Sequence, residues 1–150
     1  MAFALLMASA TLTWVNGTPL PSSGGEGSLP KVSPEMAGRV AGNYLEKVQP
    51  RRLKSATREQ FRFTAVAVAV ENHDTLFYVL NDSVSRSFVI VAADKASRPV
   101  LGYSRGGLYD PGKVPAALNA WLESRKKEIG RLKRALSPSS SSAEWEALLA

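Results

Sequence analysis

Short apolar runs separated by polar turns occupy the middle of the chain. Leu76 to Leu80 and Phe88 to Val91 are rich in aromatic and β-branched residues, and the polar segment Asn81 to Arg86 lies between them. This pattern predicts two antiparallel strands joined by a turn. A third strand is predicted over Pro99 to Tyr103, with the proline at its start because proline cannot donate a hydrogen bond to a strand ladder.

The segment before these strands, Phe61 to Val70, alternates in side-chain size. The alternation predicts a strand whose valines lie on one face and whose alanines lie on the other. One predicted face carries Val66, Val68 and Val70. The other carries Phe63, Ala65, Ala67 and Ala69. Glu71 to Asp74 follows as a turn. We expect His73 to face solvent in this turn, because a metal site would need further histidine or cysteine partners.

Two other segments have the three- and four-residue apolar spacing of amphipathic helices. The first begins at Pro34, with Ser33 as its N-cap and Glu35 near the positive end of the helix dipole, and Pro50 ends it or closes the loop after it. Its apolar stripe is Met36, Ala37, Val40, Ala41, Tyr44 and Leu45. The second runs from about Pro115 to Arg134. Its predicted core face is Leu118, Trp121, Leu122, Ile129 and Leu132.

These elements predict an α+β fold, in which an antiparallel sheet of about four strands packs against an N-terminal and a C-terminal helix. Consecutive short turns argue against a parallel sheet, since parallel strands need long crossover connections. A chain of 150 residues is long enough for one domain with a real core. The predicted divisions are a possible signal segment at 1–17, a flexible linker at 18–31, the folded domain at 32–134, and a Ser-rich linker with a short amphipathic tail at 135–150.

The two ends of the chain have distinctive compositions. Ala2 to Val15 is apolar but too short to span a bilayer, and it suits the core of a signal peptide although it lacks a basic n-region. We therefore expect export, to the periplasm or out of the cell, and no stable membrane span. At the other end, Ser137 to Ser142 is a low-complexity linker. Ala143 to Leu149 after it is either a tail or a helix packed on the sheet.

Composition restricts the chemistry available to the chain. It has no cysteine and one histidine, so it cannot assemble the cysteine–histidine pair of a thiol peptidase, and it suggests no catalytic residue, metal site or cofactor. Its net charge is +6, with much of the positive charge between Lys113 and Arg134. A nucleic-acid site would need aromatic residues among these cations or a recognisable reader motif. We expect no nucleic-acid partner and interpret the charges as a solvated helix face.

A longer ordered pattern of motifs resembles a known family. The motifs are Val32-Ser-Pro-Glu-x-Ala37, Tyr44-Leu45, Phe88-Val-Ile-Val-x-x-Asp94-Lys95-x-x-x-Pro99-Val-Leu-Gly102-Tyr103-Ser104, Tyr109-Asp110, and a Trp-bearing helix that reaches Glu123-Ser124. In this order they resemble the N-terminal pro-domain of streptopain-type cysteine peptidases, a domain that the related stand-alone inhibitors called Spi share. The resemblance covers roughly Val32 to Ile129.

The resemblance implies that the chain holds a streptopain-like cysteine peptidase latent by docking at its active-site cleft, in cis as a truncated precursor or in trans. In that family the loop before the Trp-bearing helix disturbs the catalytic residues. The matching residues here are Asp110, Pro111, Gly112, Lys113, Val114, Pro115, Ala116 and Ala117. This sequence departs from the family by placing Pro115 and two alanines where the loop carries polar residues. The alternative is an exported adhesion or binding module that uses the basic face of the 115–134 helix.

Overall fold

The computed structural model describes residues 31–49, 62–135 and 141–150. The predicted signal segment, the predicted linker up to residue 30 and most of the Ser-rich segment lie outside the described residues. The helices and strands are, in order, α1 (Pro34–Val48), β1 (Phe63–Glu71), β2 (Asp74–Asp82), β3 (Ser87–Ala92), β4 (Val100–Ser104), α2 (Ala116–Ala135) and α3 (Ser142–Leu149).

The four strands form one antiparallel sheet in the order β1-β2-β3-β4. The hairpin between β1 and β2 turns at Asn72 and His73, whose φ angles are 49° and 66°. Two successive positive φ angles are typical of the tight turns that match the twist of antiparallel strands. His73 is exposed in this turn, as predicted.

Strand β2 is longer than the apolar pattern indicated, because Asn81 and Asp82 belong to the strand and not to the turn. The Asp82 side chain is fully buried. Its carboxylate accepts hydrogen bonds from the backbone N–H groups of Arg62 at 2.9 Å and Ser85 at 2.8 Å. This side chain satisfies backbone donors on both sides of the strand end, so the turn shortens to residues 83–86.

The predicted division of β1 into a valine face and an alanine face is wrong. The register with β2 shifts between Ala65 and Ala67, as in a β-bulge. An extra residue in one strand reverses which face the following side chains occupy. Phe63 and Ala65 therefore pack on one side of the sheet, and Ala67 and Ala69 pack on the other side.

Helices cover both faces of the sheet, so the sheet is the middle of three layers. One core cluster joins α1, α3 and the sheet through Val40, Leu45, Tyr78, Val89 and Trp145, among others. The second joins α2 to the opposite face and includes Phe77, Val79, Ile90, Leu122 and Ile129. The predicted α+β fold, with an antiparallel sheet between N-terminal and C-terminal helices, is confirmed.

Helix α1 begins as its sequence predicts. The Ser33 hydroxyl accepts a hydrogen bond from the Met36 N–H at 3.1 Å, and Pro34 occupies the first turn. Just before the helix, the Val32 N–H donates to the Ala93 carbonyl at 3.0 Å, and the Val32 carbonyl accepts from the Tyr78 hydroxyl at 3.0 Å. Burial raises the pKa of Tyr78, which keeps this hydroxyl protonated as a donor. These contacts fix the start of α1 on the sheet.

The predicted core face of α2 is correct in its centre and wrong at its end. Leu122 and Ile129 are buried, while Leu118 and Trp121 are half-buried against the second cluster. Leu132 is 37% exposed. It lies about 60° around the helix from Ile129, which places it at the rim of the contact with the sheet.

The end of α2 lies near the β1–β2 turn, and ion pairs connect it to the sheet there. The Lys133 ammonium lies 3.5 Å from a carboxylate oxygen of Asp74 and 3.7 Å from one of Asp94. Lys31 lies 3.4 Å from the other Asp74 oxygen. The pKa of Asp74 is lowered chiefly by the charge of Lys133 and then by the hydrogen bond from Lys31. This group of four charges joins α2, the sheet and the segment before α1.

The α2 register gives a first prediction. We expect Ile129→Ala to lower the free energy of unfolding by about 2–5 kcal/mol, because it leaves a cavity in the second cluster. Leu132→Ala is the matched control, and its effect should stay within about 1 kcal/mol because much of that side chain contacts water. Denaturant melts of the two variants measure the difference. Equal losses would contradict the register.

The charges around Asp74 give a second prediction. A carboxyl whose pKa is lower in the folded chain adds stability above its unfolded pKa, and this contribution is lost as the pH falls through the folded pKa. We expect Asp74→Asn to be less stable than the unmodified chain at pH 7, by less than about 1 kcal/mol because the pairs are exposed. The two should converge at acidic pH, well below the ordinary aspartate pKa of about 3.9. Urea melts at both pH values test this, with Glu46→Gln as an exposed control.

Candidate inhibitory loop

The chain leaves β4 at one end of the sheet and reaches the loop 110–117 through Tyr109. Tyr109 is buried, and its ring meets that of Phe88 edge to face with 5.7 Å between centroids. Asn81 of β2 binds the backbone of Tyr109 twice. Its side-chain oxygen accepts from the Tyr109 N–H at 2.8 Å, and its side-chain nitrogen donates to the Tyr109 carbonyl at 2.9 Å. The first end of the loop is therefore fixed to the sheet.

The loop itself turns tightly after Asp110. The Asp110 carboxylate accepts from the Gly112 N–H at 2.8 Å, and the Asp110 carbonyl accepts from the Lys113 N–H at 3.1 Å. Pro111 is half-buried, and Val114 is half-buried against the second core cluster. The other predicted members of the loop are exposed, namely Asp110, Gly112, Lys113, Pro115, Ala116 and Ala117. The structure assigns the last two, Ala116 and Ala117, to the first turn of α2 and not to the loop. The loop thus presents a fixed backbone and mostly small side chains to solvent.

The second end of the loop is fixed by the start of α2. The Pro115 carbonyl accepts a hydrogen bond from the Asn119 N–H at 2.9 Å, which closes the first helical turn. One turn later the Trp121 ring lies against β4 where Gly102 leaves room for it. A β-carbon at Gly102 would lie 3.0 Å from the Trp121 ring, closer than real β-carbons normally approach a neighbour. The Arg125 guanidinium covers the same ring, 5.5 Å from its centroid.

Sequence reasoning does not identify one residue that positions the predicted loop. The polar segment Asn81 to Arg86 between two apolar runs predicts a turn, which would include Asn81. The structure places it in β2, 28 residues before the backbone that it binds. A local pattern contains no signal for such a contact.

Leu108, just before the loop, is 44% exposed, and its apolar surface extends the exposed surface of the loop.

The described residues contain no group that suggests catalysis or metal binding. No three His, Cys, Asp or Glu side chains of residues 31–49, 62–135 and 141–150 are close enough to hold a metal ion. The chain has no cysteine, and His73 lies in the exposed turn between β1 and β2. A search of the described helices finds none with both the length and the hydrophobicity needed to cross a membrane.

The basic face of α2 is partly neutralised by its own neighbours. Lys126 pairs with Glu123 at 2.6 Å, Arg125 pairs with Glu128 at 2.5 Å, and Lys133 lies beside the carboxylates near the sheet end. Three further cations are exposed and form no ion pair with another described residue; they are Lys127, Arg131 and Arg134. This pattern fits the expected solvated helix face and leaves a small positive surface.

Comparisons with known proteins agree with the motifs in the sequence. The model of the Spi protease inhibitor family matches residues 30–129, two thirds of the 150 residues. The thiol protease/hemagglutinin PrtT of Porphyromonas gingivalis is 34% identical over 98 residues, which are 65% of this chain and 11% of that protein. The chain therefore spans only a small part of this relative's length. No solved structure matches it. The chain belongs to the Spi protease inhibitor family.

Proposed function

We propose that the chain inhibits a streptopain-like cysteine peptidase by docking at its active-site cleft through the loop 110–117. The observation that carries the proposal is the fixation of this loop at both ends, by Asn81 and Tyr109 on one side and by Trp121 on the other. A segment already fixed in one conformation loses little conformational entropy when it binds a cleft. Its exposed surface of glycine, alanine and proline can approach a partner backbone closely.

The class of partner is proposed from the family and from the name of its relative. The family inhibits proteases, and the matched relative is named a thiol protease. The matched segment is a small part of that long protein, which fits a domain attached in cis to other domains. We propose that this chain acts either in cis, as the pro-domain of a precursor, or in trans, as a free inhibitor. The apolar segment at residues 2–15 supports export with the peptidase.

The affinity that inhibition requires differs between the cis and the trans modes. A tethered domain acts at an effective concentration of about 1 mM, so a Kd of about 1 μM keeps nearly every peptidase molecule closed. A free inhibitor lacks this advantage and needs a Kd of about 1 nM, which is a binding free energy of about −12.3 kcal/mol. A micromolar inhibition constant therefore indicates a pro-domain, and a nanomolar constant indicates a dedicated inhibitor.

A second candidate function is a binding module that uses the basic face of α2. The exposed cations Lys127, Arg131 and Arg134 favour it, because they have no ion-pair partner among the described residues. Such a surface attracts acidic partners over a distance that shortens as salt increases. Reversing these charges should abolish binding in this case and leave a loop-mediated inhibition largely intact.

The main test is peptide hydrolysis by the streptopain-like peptidase encoded nearest this gene, measured against increasing concentrations of the chain. We expect reversible inhibition. Deleting Gly112 and Lys113 should weaken it at least about tenfold, which corresponds to about 1.4 kcal/mol. His73→Gly is the matched control, since it changes an exposed turn at the opposite end of the sheet and glycine adopts its positive φ freely. An unaffected rate at high micromolar concentration of folded chain would overturn the proposal.

A further prediction tests whether inhibition depends on how firmly the loop is positioned, when the loop residues themselves are unchanged. Asn81→Ala removes both side-chain hydrogen bonds to the Tyr109 backbone without touching the loop. Each bond contributes about 0.5–1.5 kcal/mol, so we expect a folded domain whose inhibition is several-fold weaker because the loop is less constrained. Ser83→Ala, an exposed change in the neighbouring turn, is the control. Inhibition by Asn81→Ala that equals the control would show that this anchor is not needed.

A further inference from the structure

The end of the sheet beside the loop carries an excess of positive charge. This end consists of the start of β1, the β2–β3 turn with its flanking strand ends, and the connection from β4 to α2, which are residues 62–64, 81–88 and 103–117. Four cations occur in these ranges, and all are exposed; they are Arg62, Arg86, Arg105 and Lys113. None of the four forms an ion pair with another described residue. Their charge is therefore available to a partner.

The acidic residues of the same ranges are Asp82 and Asp110, and they offset little of this charge at the surface. The Asp82 side chain is fully buried, and its carboxylate binds backbone N–H groups. The Asp110 carboxylate is exposed and accepts from the Gly112 N–H at 2.8 Å. At the opposite end of the sheet, in contrast, the carboxylate of Asp74 pairs with two lysines. The charge of the domain thus differs between the two ends of the sheet.

Arg105 is held in position by a pair of aromatic rings. Its Nη2 atom donates to the Tyr103 hydroxyl at 3.0 Å, and its guanidinium carbon lies 5.6 Å from the centroid of the Tyr103 ring. That ring in turn meets Tyr44 of α1 edge to face, with 5.1 Å between centroids. A guanidinium has five N–H donors, so most of those of Arg105 stay free. Arg105 therefore presents an ordered fork of donors, which is the group that binds a carboxylate through two parallel hydrogen bonds.

The turn 83–86 is also ordered, and it ends in an arginine with an unusual backbone conformation. The Asp82 carboxylate accepts from the N–H groups of Val84 at 3.3 Å and Ser85 at 2.8 Å. Arg86 follows with a φ of 52°, which is strained for a residue with a β-carbon and relaxed for glycine. Its side chain is exposed. An arginine at a position that suits glycine better indicates a role of the side chain outside the fold.

Two exposed apolar side chains lie at the same end of the sheet. Val84 in the turn is 39% exposed, and Leu108 before the loop is 44% exposed. The hydrogen bonds between Asn81 and Tyr109 bring the segment with Leu108 next to the strand end that leads into the turn. Apolar side chains surrounded by polar groups, with arginine enriched among them, are typical of protein–protein interfaces.

We propose that Val84, Arg86, Arg105 and Leu108 form one docking surface with the loop 110–117, and that the two arginines bind carboxylates beside the active-site cleft of the peptidase. We call these four residues the loop-end surface. The acidic chemistry of the partner follows from the unpaired cations at this end. The identity of the partner rests on the proposed function, because the surface continues into the loop through Leu108 and Tyr109. Complementary charge of this kind speeds association and selects the partner.

The test measures inhibition of the streptopain-like peptidase encoded nearest this gene by single variants. Arg105→Gln removes the charge and keeps much of the side chain, and we expect at least about tenfold weaker inhibition. Arg86→Gly should weaken inhibition at least about threefold. Its midpoint in denaturant melts should not fall, because glycine relieves the positive φ. This combination separates a loss of docking from a loss of stability.

The matched control is Arg98→Gln. It removes one positive charge before β4, at the opposite end of that strand, where the pair with Glu144 is exposed. We expect it to change inhibition by less than about twofold. If Arg86→Gly and Arg105→Gln inhibit as well as this control, the loop-end surface is overturned and the proposed function stands. If the unmodified chain does not inhibit, the proposed function is overturned and this inference with it.

Salt dependence is a second readout, which a merely structural role of the arginines would not change. Inhibition by the unmodified chain and by Arg98→Gln should weaken as the ionic strength rises from about 0.02 M to about 0.5 M, because salt screens exposed charges. The double variant Arg86→Gly/Arg105→Gln should lose most of this dependence. Equal salt dependence in the three proteins would overturn the proposal.

Discussion

The burial of the central strands on both faces determines most of the architecture. All five residues from Leu76 to Leu80 are buried, and in β3 Val89, Ile90 and Val91 are buried. Neighbouring side chains of a strand lie on opposite faces, so such runs need cover on both sides. Helix α1 covers one face and α2 covers the other. The chain must therefore pass from the edge strand β4 to the opposite layer, and the loop 110–117 is the last part of that passage.

The connection from β4 to α2 is held by hydrogen bonds at its first end and by packing of an aromatic ring at its second end. At the first end, the Asn81 amide pairs with the backbone of Tyr109 as a neighbouring strand would. At the second end, the Trp121 ring lies so close to Gly102 that a β-carbon there would lie only 3.0 Å from it. Between them the exposed side chains of the loop are mostly small, apart from that of Lys113, and Val114 is half-buried. In the proposed inhibition, the loop contributes its shape and backbone position more than individual side chains, which is compatible with alanine and proline in place of polar residues there.

The register of the strands places the loop and the charges around Asp74 at opposite ends of the sheet. The loop lies at the end of the sheet where β2 and β4 finish, whereas the charges around Asp74 lie at the other end, beside the β1–β2 turn. Helix α3 packs on a third surface, formed mainly by α1. Changes to the charges or to α3 can therefore alter stability without changing the proposed contact with a peptidase.

The sequence by itself determined the strands, the two long helices, the exposed turn at His73 and the family, because these follow from local periodicity, turn residues and ordered motifs. Only the tertiary structure decided the bulge in β1, the position of Leu132 at the rim, and the role of Asn81. It also decided between a tail and a packed helix for residues 142–149. Asn81 contacts a residue 28 positions away, and Trp145 contacts one 48 positions away. Such contacts depend on how separate elements pack together, and no local pattern contains that information.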